Sequence, residues 1–193
     1  MKDVLVLGGP NGAGKTTAAP TVLAKYLGIR EFVNADEIAR GLSPFNPDGA
    51  AIGAARLMVG RIRELSQQGQ SFAFETTCAG RRYLRLLRLC RAEGYRLTLV
   101  FLWLPSPQAA LARVAKRVRE GGHGIPKEVV VRRFDVGLRN MRHLYLPLVD
   151  VALVYDNSDQ GRVLIAEKSP EISLRVHDPK RWALIEKATK WPT

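Results

Sequence analysis

The chain has 193 residues, 46% of them apolar, and a formal net charge of +12. That length suits one domain with a full core, and the apolar content excludes a disordered or fibrous chain. Apolar runs no longer than a strand exclude a membrane helix. The charge is unevenly placed: residues 79–142 carry 15 Lys/Arg against 4 Asp/Glu and hold 11 of the 12 excess charges. Such a segment attracts anions, whether nucleotide phosphates, an acidic substrate or nucleic acid. Cys78 and Cys90 are the only cysteines. They make no disulfide framework and stand in no metal-ligand spacing, and no signal peptide fits Met1-Lys2-Asp3, so a reducing cytoplasm is the expected compartment.

In chain order, Asp3-Val4-Leu5-Val6-Leu7 reads as a buried strand. Gly9-Pro10-Asn11-Gly12-Ala13-Gly14-Lys15-Thr16 then fits G-x-x-x-x-G-K-[ST], and a helix follows from Thr17 to about Tyr26, ended by Gly28. Strand, glycine loop and helix form the context in which this motif binds phosphate. Glu31–Asn34 reads as a second strand and Asp36–Arg40 as a helical turn stopped by Gly41. Asp48 is placed to cap a long helix to about Gln68, with Ile52, Ala55, Val59, Ile62 and Leu65 at helical spacing. A third strand, Ser71–Phe74, runs into Glu75-Thr76-Thr77. A basic helix spans Gly80–Glu93, and a fourth strand runs from Arg96 to Leu104. Ser106 caps a helix to about Glu120, a break follows at Gly121–Pro126, and another helix ends near His143. A fifth strand covers Val149–Tyr155. Residues 162–168 and 172–176 can pair as a small hairpin, and a last helix covers about 180–190. Strands alternating with helices predict a three-layer α/β/α P-loop domain with a mostly parallel five-stranded sheet. Right-handed crossovers then bring the ends of strands one to four to one rim.

The candidate residues lie on that rim. Gly9, Asn11, Gly12, Ala13, Gly14, Lys15, Thr16 and Thr17 would cradle nucleotide phosphates; Lys15 would reach the terminal phosphates and the Thr16 hydroxyl would hold magnesium. Asp36, two residues past the second strand, either accepts the proton of an attacking hydroxyl or caps the short helix behind it. Glu75, with Thr76 beside it, ends a buried strand. It would bind substrate or orient magnesium, or else is a surface carboxylate. Trp103 either stacks on substrate or packs in the core. Asn157 sits in a loop suited to adenine. Arg113, Lys116, Arg117 and Arg119, then Arg132 and Arg133 beyond the glycine break, suit a helical lid over about 113–133 whose arginines face phosphates. Arg81, Arg82, Arg85, Arg88 and Arg91 alternate with leucines, which reads as an amphipathic helix with a basic outer face, or as a surface for nucleic acid or an acidic partner.

Gly8–Thr17, Asn34-Ala35-Asp36-Glu37-Ile38, Phe74-Glu75-Thr76-Thr77 and Phe101-Leu102-Trp103-Leu104-Pro105 together resemble the zeta toxin family, and Gly121–Pro126 is similar to its short stand-alone members. The resemblance covers roughly Asp3 to Ser158. It implies an adenylate-kinase-like core, ATP and Mg²⁺ as cofactors, and phosphoryl transfer to the 3′-hydroxyl of the amino sugar in UDP-N-acetylglucosamine. It matches Asp36 to the catalytic base, Lys15 and Thr16 to the ATP and magnesium residues, Glu75 to a substrate-binding carboxylate, and Arg117 and Arg132 to phosphate-facing arginines. An antitoxin protein is the partner it implies. Relatives of this fold also phosphorylate antibiotics and other small hydroxyl compounds. Two other classes stand beside this reading. One is an ATP-using nucleic-acid binder, supported by the charge but opposed by an aromatic content of 7% with no stacking strand. The other is a non-catalytic nucleotide switch, opposed by the paired carboxylates at the rim.

Overall fold

The computed structural model describes residues 1–24, 29–122, 124–158 and 161–190. The expected end of the first helix at Tyr26–Gly28, and His123 in the glycine break, lie outside them. Val4, Leu5, Val6 and Leu7 are all buried in β1 (Lys2–Gly8), and seven of the last eight residues of β4 (Tyr95–Trp103) form one uninterrupted buried run. Strands apolar on both faces need cover on both faces, which parallel crossovers provide. β1 lies between β3 (Phe72–Thr76) and β4, and β2 (Glu31–Val33) flanks β3. β5 (Val151–Asp156) flanks β4, and all four pairings are parallel.

The hairpin expected over residues 162–176 does form, as β6 (Val163–Lys168) and β7 (Arg175–Val176). It is not a separate appendage. β6 pairs antiparallel with β5, giving one seven-stranded sheet in the order β2-β3-β1-β4-β5-β6-β7 where a five-stranded sheet was expected. The free edge of β5 offers backbone donors and acceptors that the hairpin satisfies.

The helices are α1 (Lys15–Ala24), α2 (Ala35–Leu42), α3 (Pro47–Gln67), α4 (Arg82–Ala92), α5 (Pro107–Arg119), α6 (Lys127–Asn140), α7 (Leu146–Leu148) and α8 (Pro179–Ala188), with a π-helical turn, Met141–Tyr145, between α6 and α7. Three begin with proline just inside a side-chain cap: Asn46 before Pro47, Ser106 before Pro107 and Asp178 before Pro179. Asp48 therefore does not cap α3. Pro47 takes the first helical position, and Asn46 Oδ1 accepts from the Gly49 amide. Gly41 lies inside α2, and the buried stripe of α3 is Ala54, Met58, Ile62 and Leu65, leaving Ile52 exposed. Among the described residues no helix is long and apolar enough to cross a membrane.

Register decides what meets at the rim. Gly8 lies level with Thr76 on one side and Phe101 on the other, and Val33 lies level with Phe74. The residues just past β1, β2 and β3 therefore emerge together. The connection leaving β1 runs to β2 on one side and the connection leaving β3 runs to β4 on the other, so the switch point lies between β1 and β3, and the crevice at such a point is where α/β folds bind ligands.

Candidate active site

The loop from Gly9 to Gly14 turns tightly over the end of β1. Gly9 has φ +145° and Gly12 φ +77°, and a Cβ at either would lie 2.5 Å from the Leu102 carbonyl oxygen or 2.9 Å from that of Ala110. Both glycines are needed for shape as much as for backbone freedom. The Ala13 amide donates to the Pro10 carbonyl (3.2 Å), closing the turn. Below the loop, Asn157 Nδ2 donates to the Ala13 carbonyl (2.7 Å), and Arg113 donates to the carbonyls of Gly12 and Ser158. Arg113 is thus a brace of the loop, and so is Asn157, whose side-chain amide is directed at the loop backbone. Asp156 continues the support: it accepts from the Ser158 amide (2.8 Å) and from Arg181 Nε of α8 (2.6 Å).

Above the loop a network centres on Glu75. Its Oε2 accepts from the Thr16 hydroxyl (3.0 Å) and from Asn34 Nδ2 (3.0 Å), while Oε1 lies 3.5 Å from Lys15 Nζ. Lys15 Nζ also donates to the Pro10 carbonyl (2.9 Å). Side-chain exposure is 6% for Lys15 and 11% for Glu75, so this pair sits largely out of water. Asn34 also caps α2, its Oδ1 accepting from the Asp36 amide (2.8 Å). One asparagine thereby fixes both Glu75 and the start of the helix that carries Asp36. The Asp36 backbone amide is the capped group and Asn34 the capping residue, so the Asp36 carboxyl is not engaged as a cap. From sequence Asn34 reads as the end of the second strand and Asp36 as the candidate cap; the signal missed there is Asn followed by Asp and Glu in the first turn, a helix-start pattern.

These groups open on a cavity of about 620 Å³, within the ordinary range for small-molecule sites. Its walls include Asn11, Lys15, Asp36, Glu75 and Thr76. Of the lid candidates, Arg117 of α5 and Arg132 and Arg133 of α6 line it, and Arg119 does not. Arg40, Asp48, Arg82 and Tyr83 also line it. Sequence reasoning did not place these four because α2, α3 and α4 meet there only through tertiary packing. Trp103 does not reach the cavity. It is 3% exposed within the core, lies opposite Asp156 in the sheet, and is corrected from a stacking candidate to a core residue. Thr17 is exposed on the first turn of α1.

Cys78, just past the rim, has φ +60° and is fully buried, with its thiol pushed up to about 12 by loss of solvent. A thiol held neutral is no nucleophile. Asn140, at the start of the π-helical turn, holds this strained bend by donating to the carbonyls of Cys78 (2.9 Å) and Ala79 (3.1 Å).

Several features fit a nucleotide phosphate chain. Gly9 and Gly12 leave no room for a Cβ, Lys15 is buried at the cavity, and Asn11 Oδ1 is buried with no hydrogen-bond partner among the described residues. Thr16 and Glu75 offer two hard oxygens 3.0 Å apart. Such a pair suits Mg²⁺, which takes one or two protein oxygens and fills its remaining positions from phosphate and water. Among the described residues no cluster of three or more His, Cys, Asp or Glu could hold a metal.

Comparison with known proteins bears on the fold and the family. An uncharacterized protein of Haemophilus influenzae is 28% identical over 126 residues, covering 65% of this chain and 88% of its own. Among solved structures, one from the PezAT chromosomal toxin–antitoxin system of Streptococcus pneumoniae superposes with a TM-score of 0.67 at 16% identity, covering 97% of this chain and 86% of the other. The AvrRxo1-ORF1:-ORF2 structure with ATP superposes with a TM-score of 0.75 at 18% identity, covering all of this chain and 66% of the other. At such identities these likenesses show the fold, which is the α/β fold of P-loop kinases. The profile of the AAA domain family (AAA_33) matches residues 4–144, about three quarters of the sequence, and the chain belongs to that family.

Proposed function

We propose that the protein is an ATP- and Mg²⁺-dependent kinase of the zeta toxin type that phosphorylates a hydroxyl of a small molecule, a nucleotide sugar such as UDP-N-acetylglucosamine. The observation that carries this reading is that Lys15 and Asp36 both line one cavity of about 620 Å³. Lys15 and the loop amides hold the phosphates, and their positive field draws the terminal phosphoryl group toward the rim. Thr16 and Glu75 would hold the magnesium ion, which offsets phosphate charge when bound. Asp36 accepts the proton of the acceptor hydroxyl as it attacks. Arg117, Arg132 and Arg133, converging from two helices, stabilise charge that spreads over the phosphoryl oxygens. Their approach from the lid side also narrows access for water, the competing acceptor.

The PezAT and AvrRxo1 likenesses are to proteins described in a toxin–antitoxin system and a two-component complex, and they support a search for an antitoxin-like partner here. The reaction is tested with γ-labelled ATP and a panel of nucleotide sugars. Asp36→Asn retains ATP binding and loses about 10²–10⁴ in transfer rate. Wild-type turnover in that variant removes Asp36 from the mechanism.

A further inference from the structure

A second cavity, about 910 Å³, runs between α3 and α4, and no residue of the phosphate loop lines it. Its apolar floor is Val59, Ile62, Leu86 and Leu89, and Leu89 is 53% exposed. Its rim carries Arg56 and Arg63 from α3 and Arg81, Arg82 and Arg85 at and along α4, against one carboxylate, Glu93. Among the described residues none of these five guanidiniums is paired with a carboxylate. Other arginines are: Arg61 with Glu31 and Glu64, Arg96 with Asp3, Arg142 with Glu186, and Arg181 with Asp156 and Asp178. The fold neutralises many arginines internally yet leaves a row of them unpaired around a trough whose floor is exposed at Leu89, half-buried at Val59 and buried at Ile62 and Leu86. Unpaired like charges close together repel, and an incoming set of carboxylates removes that cost.

We infer that this groove docks an acidic amphipathic helix of a partner protein. The trough follows α4, whose 11 residues span about 16 Å, so it accommodates roughly three turns of a partner helix. Apolar anchors at i, i+3, i+4 and i+7 would seat on the floor, with Asp or Glu flanking them against the arginines. The chemistry favours this occupant over the other polyanions. The groove has no aromatic side chain on which a base could stack. Its apolar residues lie in a concavity, and a lipid surface is met by a convex apolar face. A second copy of the chain, itself carrying +12, brings the wrong charge. Arg82 lines both this groove and the candidate active site, so a docked helix would share a side chain with the acceptor side of the cavity and leave Lys15 untouched. The inference stands on the groove alone and does not depend on the proposed reaction.

The test uses the full chain and a fluorescein-labelled, helix-stabilised 14-residue peptide of Leu and Glu with the leucines on one face. The comparators are the same composition shuffled to scatter the leucines, a 12-nucleotide single-stranded DNA, and phosphatidylserine vesicles. Saturable binding of the amphipathic peptide is expected, at least tenfold tighter than of the shuffled one. It weakens at least tenfold in Arg81→Glu/Arg85→Glu and in Leu89→Glu, and stays within twofold in Arg162→Glu, outside the groove. Arg63→Glu on the facing helix provides an independent reading if the α4 variant does not fold. No saturable binding overturns the inference. Equal or tighter binding of the shuffled peptide, the DNA or the vesicles overturns it in favour of a diffuse polyanion patch, as does indifference to Leu89→Glu.

Discussion

Replacing Glu75 by Gln removes one negative charge from the centre of the site while keeping side-chain volume. Its Oε1 lies 3.5 Å from Lys15 Nζ, and both side chains are largely buried. At an effective dielectric of about 20, a charge pair at that distance interacts by roughly 5 kcal/mol. Desolvation of the two ions opposes much of this, while removing only one partner strands the other. The two hydrogen bonds accepted from Thr16 and Asn34 also weaken once the acceptor is neutral. The expected net cost is about 2–4 kcal/mol in the nucleotide-free protein, a fall in Tm of about 4–16 °C for a chain of this size. Saturating ATP without magnesium gives Lys15 a new anionic partner, so most of that deficit disappears on binding. The assay is urea unfolding with and without ATP, on wild type and variant. An equal loss in both conditions, or a loss below about 0.5 kcal/mol without nucleotide, refutes the reasoning that Glu75 stands in for phosphate at Lys15.

Gly12→Ala forces a Cβ to within 2.9 Å of the Ala110 carbonyl at φ +77°. It is expected to cost about 1–3 kcal/mol of backbone strain and to abolish ATP binding measured by calorimetry. Cys78 and Cys90 are both buried with thiols pushed upward chiefly by desolvation. A chromogenic disulfide reagent at pH 8 should therefore find no reactive thiol until urea unfolds the chain, after which it finds two; one full equivalent reacting in native protein contradicts this. Asp178 caps α8 and is held below the usual carboxylate range by the Arg181 backbone amide first and the Arg181 guanidinium second. A depressed carboxylate stabilises the fold at pH values above its unfolded titration near 4, and that stabilisation is lost as pH falls through the lower folded value. Asp178→Ala should flatten the decline of unfolding free energy between about pH 5 and 2, and an unchanged acid limb argues against the cap.

What the sequence determined by itself is most of what local rules carry, the cap at Asp48 and the stop at Gly41 being local readings that failed. The strand, glycine loop and helix around Gly9–Thr16 form as expected because backbone conformation at glycines and a short apolar run are properties of a few adjacent residues. The cap at Ser106 and the basic outer face of α4 were legible for the same reason. The tertiary structure decided whatever depends on residues far apart in the chain. Strand register put Trp103 into the core and set Asn34 beside Glu75; a two-residue periodicity cannot reveal which residue of a neighbouring strand lies level with it. Pairing of β6 with β5 extended the sheet to seven strands because an open edge attracts any compatible strand, wherever it lies in sequence. Side-chain direction sorted the arginines, sending Arg113 beneath the loop and Arg117, Arg132 and Arg133 to the cavity, although all four look alike in the sequence. A guanidinium carries the same charge everywhere, and only the packing around its helix decides what that charge faces.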